Sequence, residues 1–277
     1  MTHSIKKLLD LPYYTEGPAV DQEGNLFFST LTGGAIGRLD RQGNYSVWAK
    51  TACPNGQVIL PDGTHWVCDP KQAAVSVFNA KGEFQETVVQ GVCANKVVES
   101  PNDLIIDSHQ NLYFTESIRT DGKVFFVGSD GHERVVADGI DYANGIALSR
   151  DERFLYVAES FKNRVLVIEL AEPGIPKTKP KVFANLPVHR SGKPTDNLPD
   201  GLAVDHAGNV WVAHYGMQAI QVLTARGDWQ FSIDTTLPLT SNLCFLEDTA
   251  QRQTLLVTGG SGEPGPGGVV QVTVFPK

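Results

Sequence analysis

The amino-acid sequence predicts an all-β fold, a six-bladed β-propeller of four-stranded blades, from three observations. Short apolar segments separated by turn residues recur along the chain in six similar units. No segment has the periodicity of a long amphipathic helix. An aromatic residue or leucine returns every 39 to 55 residues, close to the period of about 40–50 that is typical of propeller blades. These recurring residues are Phe27, Trp66, Tyr113, Tyr156, Trp211 and Leu256.

Each unit begins with a hairpin, two short apolar strands joined by a polar turn. The six hairpins read EGPAVDQEGNLFFS, NGQVILPDGTHWVCD, NDLIIDSHQNLYFTE, NGIALSRDERFLYVAE, DGLAVDHAGNVWVAH and NLCFLEDTAQRQTLLVTG. A third strand follows in every unit, as AIGRLD, AVSVFN, KVFFVG, NRVLVIEL, AIQVLT and VVQVTV. A fourth is visible in most units, as YSVWAK, ETVVQG, ERVVADG and PKVFAN.

The last unit has three strands, and the segment from Ser4 to Leu11 precedes the inner strand of the first unit. We expect this N-terminal strand to close the last blade, because the pairing removes two open sheet edges. The sequence therefore predicts a single propeller domain over residues 1–277. The stretch 187–199 is expected to be a long connection over one face.

Bulk composition narrows the classes of function. The chain has 277 residues and a formal net charge of −8, without a run of Lys or Arg, which argues against nucleic acid as a partner. No apolar run is long enough to span a membrane, and the N-terminus lacks the apolar core of a signal peptide. No obligate protein partner is evident. The four cysteines have no CxxC spacing, so we expect free thiols and a cytoplasmic location, with a Cys53–Cys93 disulfide as the alternative.

The residue directly before each innermost strand carries a side-chain oxygen or amide. These residues are Glu16, Asn55, Asn102, Asn144, Asp200 and Asn242. Because the inner strands of a propeller line its channel and start at one face, these side chains should converge. Two carboxylates and several amide oxygens suit a hard divalent cation, Ca²⁺ better than Mg²⁺. For Asn55 and Asn242, taken individually, an ordinary turn or strand-entry role is the better explanation.

A second set of polar residues stands where the outgoing strands return to the same face. It comprises Ser29, Asp69, Glu116, Glu159 and His214. His214 is a candidate for catalysis or substrate binding, although a histidine at a strand end is commonly a hydrogen-bonding residue. Tyr14 and Tyr142 each precede a candidate ligand by two residues, and either packing or a pocket wall explains them. No GxSxG motif occurs, so a serine nucleophile is not expected.

Four segments together resemble the gluconolactonase family, the group that includes senescence marker protein (regucalcin), luciferin-regenerating enzyme and bacterial sugar lactonases. They read EGPAVDQEGNLFFS, SPNDLIIDSHQNLYFTES, YANGIALSRDERFLYVAES and LPDGLAVDHAGNVWVAHYG. The resemblance covers nearly the whole chain and implies a six-bladed propeller with a divalent metal in the channel. It implies Glu16, Asn144 and Asp200 as metal ligands, and Asn102 as a further ligand or a substrate contact. Ser100 stands where many family members carry an arginine.

The function that follows is a metal-dependent hydrolase that opens a sugar or aldonic-acid lactone, its small-molecule partner, to the hydroxy acid. The cation is expected to be Ca²⁺, with Zn²⁺, Mn²⁺ or Mg²⁺ as alternatives, held by Glu16, Asn102, Asn144 and Asp200. Asp200 is the expected catalytic base, and His214 the alternative one. Substrate contacts are expected from Tyr14, Ser100, Asn102 and His214. A phosphotriesterase-like hydrolase and a non-catalytic calcium- or ligand-binding propeller remain alternatives.

Overall fold

A computed structural model describes residues 2–275 of the chain. The regular secondary structure of these residues is β-strand, apart from three short 3₁₀ turns, Leu31–Gly33, Ser160–Lys162 and Pro194–Asp196. The prediction of one domain over residues 1–277 stays a prediction, and Met1, Pro276 and Lys277 lie outside the described residues.

The strands follow one another along the chain with short connections. In the first half they are β1 (Thr2–Leu11), β2 (Glu16–Val20), β3 (Leu26–Ser29), β4 (Ala35–Leu39), β5 (Tyr45–Lys50), β6 (Gln57–Ile59), β7 (His65–Asp69), β8 (Ala74–Phe78), β9 (Phe84–Gln90), β10 (Val92–Cys93), β11 (Lys96–Val97), β12 (Pro101–Ile106), β13 (Leu112–Glu116), β14 (Gly122–Val127) and β15 (Glu133–Ile140). In the second half they are β16 (Ala143–Leu148), β17 (Phe154–Glu159), β18 (Arg164–Glu172), β19 (Ile175–Pro176), β20 (Lys181–Asn185), β21 (Leu198–Val204), β22 (Val210–Tyr215), β23 (Ala219–Leu223), β24 (Trp229–Asp234), β25 (Leu239–Asp248), β26 (Gln253–Gly260) and β27 (Gly267–Phe275).

The arrangement of sheets is propeller-like, but it is not the six separate blades that the sequence predicted. Four sheets are separate and blade-like: β2–β5, β6–β9, β12–β15, and a five-stranded sheet formed by β16–β20. β10 and β11 form a separate two-stranded sheet, and the remaining strands, β21–β27 and β1, form one eight-stranded sheet. The reason is a single backbone pairing between Tyr215, at the end of β22, and Leu239, at the start of β25, which joins the last two repeats into one ladder.

The N-terminal strand pairs as predicted. β1 runs antiparallel to β27 from Thr2 against Phe275 to Leu11 against Gly267, with one irregularity between Lys7 and Leu9. The first strand of the chain therefore occupies the outer edge of the last sheet repeat, where it covers hydrogen-bonding groups that an open edge would expose.

The first strands of the repeats contact one another in a closed ring, in the order β2, β6, β12, β16, β21, β25 and back to β2. Outside this ring, hydrophobic clusters fill the space between neighbouring repeats. In one of them Tyr113 and Phe126 pack with Leu155 and Ile168 of the next sheet, and a corresponding cluster joins the first repeat to the last through Phe28 and Leu256. Burial of apolar surface between successive sheets thus holds the strand entries of the ring at one face.

No helix among residues 2–275 is long and apolar enough to cross a membrane.

Candidate active site

The entry of most inner strands departs from regular β-pairing. The register shifts between Glu16 and Ala19 in β2, between Pro101 and Leu104 in β12, between Ala143 and Ile146 in β16, and between Pro199 and Leu202 in β21. A β-bulge bends the strand and re-aims a side chain. Each of these shifts lies at a candidate ligand, so the irregular pairing explains how side chains from different repeats reach one point.

These side chains line one cavity of about 260 Å³. Its polar lining contains the predicted ligands Glu16, Asn102, Asn144 and Asp200, together with Asn55. The remaining wall is largely aromatic and apolar, and one further carboxylate stands on it. This part of the lining consists of Tyr14, Leu31, Tyr142, Ser160, Phe161, Leu198, Tyr215 and Glu263.

Glu16 is 4% exposed, and its Oε2 accepts hydrogen bonds from the backbone N–H of Gly17 at 2.6 Å and from Nδ2 of Asn242 at 3.2 Å. Burial, aided by the negative charges of Asp103 and Glu263, raises the pKa of Glu16 to about 8, although both hydrogen bonds act in the opposite direction. Without a bound cation this carboxyl group is therefore mostly protonated near neutral pH.

Asp200 is equally enclosed, at 8% exposure. Burial is the main cause that raises its pKa well above the usual range, and the charges of Glu16 and Asp103 add to it. Two carboxyl groups that mutually disfavour ionisation, in a cavity, are a common feature of functional sites.

Two asparagine side chains in the cavity have an unsatisfied oxygen. Within the described part of the chain, Oδ1 of Asn55 and Oδ1 of Asn144 are buried and have no hydrogen-bond partner. A buried amide oxygen without a partner is costly, and a hard cation or a water molecule would satisfy it. Together with the carboxylates of Glu16 and Asp200, these oxygens fit a divalent cation of the kind that prefers oxygen ligands.

Buried serine hydroxyls fix the strand entries to one another. Each donates a hydrogen bond to a carbonyl oxygen at or just before a ring residue of the next repeat. The bonds run from Ser29 to Asn55 at 2.6 Å, from Ser117 to Ala143 at 2.6 Å, from Ser160 to Pro199 at 2.7 Å, and from Ser241 to Thr15 at 2.8 Å. Ser160 also accepts a hydrogen bond from Nδ2 of Asn144 at 3.3 Å, so it orients that side chain directly.

The structure separates the other predicted site residues into those at the cavity and those away from it. Tyr14 and Tyr142 both belong to the cavity wall. Ser100 and His214 do not line it. Ser100 instead donates its backbone N–H to Glu116 at 3.0 Å. His214 is fully buried, burial lowers its pKa to about 3, and neither ring nitrogen has a hydrogen-bond partner among the described residues.

The outgoing-strand carboxylates hold loops and do not line the cavity. Asp69 accepts the backbone N–H groups of Ala52 and Cys53, and Glu116 accepts those of Glu99 and Ser100. Asn242, the sixth predicted ring residue, also lies outside the lining.

Sequence reasoning missed three ionisable residues at or beside the cavity. Asp103, next to Asn102 in the chain, is 7% exposed, and burial raises its pKa to about 6. The other two, Tyr215 and Glu263, line the cavity from the end of β22 and from the loop between β26 and β27. A signal for Asp103 was present, because glycine stands at the same place in four other units, as Gly17, Gly56, Gly145 and Gly201.

The glycines permit the inner strands to approach closely. A Cβ on Gly56 would lie 2.2 Å from Oδ1 of Asp103, and one on Gly201 would lie 2.0 Å from Oδ1 of Asn242. Both distances are far below van der Waals contact, so a larger residue at either position would push these side chains away. Close approach is the reason for glycine here.

Two other polar clusters lie at the opposite ends of the strands. A cavity of about 260 Å³ is lined by Phe27, Trp48 and His65 with the turn carboxylates Asp21 and Asp62. These two carboxylates cap their own turns, through the backbone N–H of Asn25 and of Thr64. At two hairpin turns, the buried Asp107 and the more exposed His109 and Glu152 hold ligand-type atoms within 4.8 Å of one another. Neither cluster lies at the strand entries, where the unpartnered oxygens of Asn55 and Asn144 are found.

The fold and the site define a propeller-like β protein with an oxygen-rich site where its inner strands begin. The chain belongs to the SMP-30/gluconolactonase/LRE-like family, whose model matches residues 14–261. The resemblance seen in the four sequence segments is therefore confirmed.

Relatives and solved structures agree with this assignment. The chain is 28% identical over 235 residues to a lactonase, drp35, from Staphylococcus haemolyticus. The match covers 80% of this chain and 69% of that protein. It is similar to the structure of a gluconolactonase from Xanthomonas campestris, with a TM-score of 0.82, 25% identity, and coverage of 99% of this chain and 90% of that chain. At the level of the family, the prediction of a lactonase enzyme is confirmed.

The fold also matches that of a calcium-binding protein, regucalcin, from Agrobacterium tumefaciens. The TM-score is 0.81, with 19% identity, and the match covers 97% of this chain and 92% of that chain.

Proposed function

We propose that this chain is a metal-dependent lactonase that opens a sugar or aldonic-acid lactone to the hydroxy acid. The observation that carries the proposal is the cavity itself, where two buried carboxylates meet two amide oxygens without partners. Glu16, Asn102, Asn144 and Asp200 would hold the cation, and Asn55 offers a further oxygen. Their oxygen-only chemistry favours Ca²⁺ over softer metals.

When bound, a divalent cation would act as a Lewis acid on the lactone carbonyl. The chain's own residues supply the rest. Asp200 would orient the attacking water and accept its proton, and the phenol groups of Tyr14, Tyr142 and Tyr215 would enclose the lactone ring. Lactone opening needs only modest assistance. Asp200 can therefore act as the base even though a bound cation reduces the basicity of its carboxylate.

Between the two candidate bases, the geometry favours Asp200. Asp200 lines the cavity, whereas His214 is fully buried away from it. A general base must come within hydrogen-bond reach of the proton that it removes, directly or through one water. His214 is better explained as a neutral side chain within the packed sheets.

The proposal includes the architecture around the site. The closed ring of six inner strands supports treating the eight-stranded sheet as two blades, which would give six blades in one domain around the channel. The four cysteines are free thiols, which supports a cytoplasmic location.

The test is hydrolysis of a panel of aldonolactones, followed by proton release, before and after treatment with a chelator. We expect hydrolysis that the chelator abolishes and that added Ca²⁺ restores. Elemental analysis of the purified protein identifies the ion. A paraoxon arm detects phosphotriesterase activity, and metal binding without turnover of any substrate would leave a non-catalytic binding protein.

Variants then assign the base. Glu16→Gln should weaken metal binding and recover turnover, at least partly, when metal is in excess. Asp200→Asn should stay about 10²–10⁴-fold slower at saturating metal, the usual cost of a lost general base. His214→Leu should keep kcat within a few-fold. Full recovery of Asp200→Asn, with His214→Leu inactive but folded, would move the base assignment to His214.

A further inference from the structure

Glu263 lies at the cavity in a position that the fold fixes. It stands in the loop between β26 and β27, and the carbonyl of its neighbour Pro264 accepts a hydrogen bond from the backbone N–H of Tyr14 at 2.9 Å. A Cβ on Gly265 would lie 2.1 Å from the carbonyl oxygen of Pro12, so the loop packs tightly on the chain that leads into β2. The side chain of Glu263 is solvent-exposed and also lines the cavity, which places it at the opening.

The charges around the cavity are one-sided. Its described lining contains Glu16, Asp200 and Glu263, and it contains no Lys, Arg or His. Asp103 lies close enough to raise the pKa of both Glu16 and Asp200 by its charge. One divalent cation would offset two of these four carboxylates, so the site keeps a negative potential even when a metal is bound.

The guanidinium that packs on the cavity wall does not correct this imbalance. Arg119 stacks on the ring of Phe161, with its central carbon 3.6 Å from the ring centroid, and Phe161 forms part of the cavity wall. The Nε of Arg119, however, is 2.7 Å from Oδ1 of Asp141, so the charge of Arg119 is paired with that carboxylate.

Burial and the same negative charges raise the pKa values of the tyrosines in the cavity wall. Burial first, and then the charges of Asp200 and Glu16, raise the pKa of Tyr14 well above its usual range. Burial first, and then the charge of Glu263, raise the pKa of Tyr215, and burial followed by the charge of Asp200 raises the pKa of Tyr142. All three wall phenols therefore stay protonated and can donate hydrogen bonds to a substrate.

We propose that the cavity accepts neutral or cationic lactones and disfavours lactones that carry a carboxylate, with Glu263 as the specificity-determining residue. This inference rests on the proposed lactonase function. Glu263 would accept a hydrogen bond from a hydroxyl or ammonium group of the substrate and repel an anionic substituent. Ring opening turns the lactone into a carboxylate, so the same charge favours release of the product.

The experiment compares matched pairs of substrates that differ in one charge. D-glucono-γ-lactone is paired with D-glucaro-γ-lactone, which has a free carboxylate. α-Hydroxy-γ-butyrolactone is paired with α-amino-γ-butyrolactone, which has an ammonium group. We expect the wild type to prefer the neutral member of the first pair and the cationic member of the second, mainly through KM.

Glu263→Gln keeps the size of the side chain and removes its charge. In the first pair it should shift the preference toward the anionic lactone, and in the second pair away from the cationic lactone, each by about two- to fivefold. Both shifts should shrink in high salt. Glu172→Gln, an exposed change at the end of β18, is the control and should leave both ratios as they are in the wild type. Unchanged ratios in Glu263→Gln, or a wild type that prefers the anionic lactone, would overturn the inference.

A binding measurement keeps this result separate from the proposed function. Calorimetric titration of the metal-loaded protein with gluconate and with glucarate, two open-chain acids that differ by one carboxylate, repeats the charge comparison without turnover. If no lactone is hydrolysed but Glu263→Gln strengthens glucarate binding, the function is wrong and the charge selectivity stands. If lactones are hydrolysed and glucarate binds equally to both proteins, the selectivity is wrong and the function stands.

Discussion

Three buried carboxyl groups, those of Glu16, Asp103 and Asp200, stand together where the inner strands begin. Two of the predicted ring residues turn amide donors toward them. Nδ2 of Asn242 lies 3.2 Å from Oε2 of Glu16 and 3.5 Å from Oδ2 of Asp103, and the side chain of Asn144 lowers the pKa of Asp200 by hydrogen bonding. Two neutral amides cannot offset three charges that are out of water, so protons or a cation must do so.

This charge balance predicts how the metal-free protein responds to pH. The pKa of Glu16 is about 8 in the folded protein, against 4.5 ordinarily. Between these values the unfolded chain releases a proton that the folded chain retains, so the free energy of unfolding should fall as pH rises from about 4.5 and level off above about 8. In excess chelator, the melting temperature should be lower at pH 8 than at pH 5.

The matched variant is Glu16→Gln, which cannot titrate. At pH 8 it should make the metal-free protein more stable, on the order of 2 kcal/mol, while it weakens metal binding. The pH dependence that remains would come from Asp103 and Asp200. Glu172→Gln serves as the surface control. The stability of the metal-free wild type could instead rise between pH 5 and pH 8 while that of Glu16→Gln does not. That result would contradict the burial of Glu16 as an unpaired acid.

At the scale of strands, irregular pairing and cross-repeat hydrogen bonds shape the site. The bulges at the strand entries take Glu16, Asn144 and Asp200 out of regular alternation. The serine hydroxyls then fix each entry against the next repeat, as in the bond from Ser160 to the carbonyl of Pro199. Buried hydrogen bonds therefore fix the position of each strand entry relative to that of the next repeat, and such bonds are costly to leave unmade.

Two of these serines make a matched pair for mutation. Ser117→Ala and Ser160→Ala each remove one buried hydrogen bond to a carbonyl, so each should lower stability by about 1 kcal/mol. Only Ser160 also contacts the side chain of Asn144, so only Ser160→Ala should weaken metal binding, by about tenfold. Titration with metal, followed by calorimetry, measures the difference. Equal affinities in the two variants would mean that Ser160 does not orient Asn144.

The strands were predictable from the sequence because each hairpin is a local signal. Alternating apolar residues and a turn rich in Gly, Asn or Asp specify the hairpin without reference to the rest of the chain. The repeat period then placed Glu16, Asn102, Asn144 and Asp200 in the same register, and the structure brings all four to one cavity. Their roles as ligands stay a prediction.

The missed features depend on contacts between distant segments. Glu263 reaches the cavity because its loop packs on Pro12 and Tyr14, and no local sequence pattern predicts that contact. The joining of the last two repeats follows from one pairing, Tyr215 with Leu239, across a connection whose geometry the sequence does not specify. From the sequence, Asn55 was better explained as a turn residue than as a ligand, and its unpartnered oxygen in the cavity is what favours the other explanation.

At the scale of the whole molecule, the ring of inner strands is closed by contacts between β25 and β2. The outer side of the same junction depends on β1, which pairs with β27 along its length. Leu8, Leu9 and Leu11 of β1 pack against the cluster that contains Phe28 and Leu256. The beginning of the described chain is thus part of the junction between the first and last repeats.

Removal of residues 1–11 should therefore destabilise the protein far more than the loss of an unpaired terminus, by lowering the melting temperature by about 10 °C or more. The truncation uncovers the edge of β27 and the apolar side of its cluster, so aggregation should increase as well. A synthetic peptide of residues 2–11 is the matched control, because it can add back the missing strand and should restore part of the loss. A peptide with Ile5, Leu9 and Leu11 changed to Asp should not. If the truncated protein melts within a degree or two of the full chain, the pairing of β1 contributes little, and the junction is held by the inner ring alone.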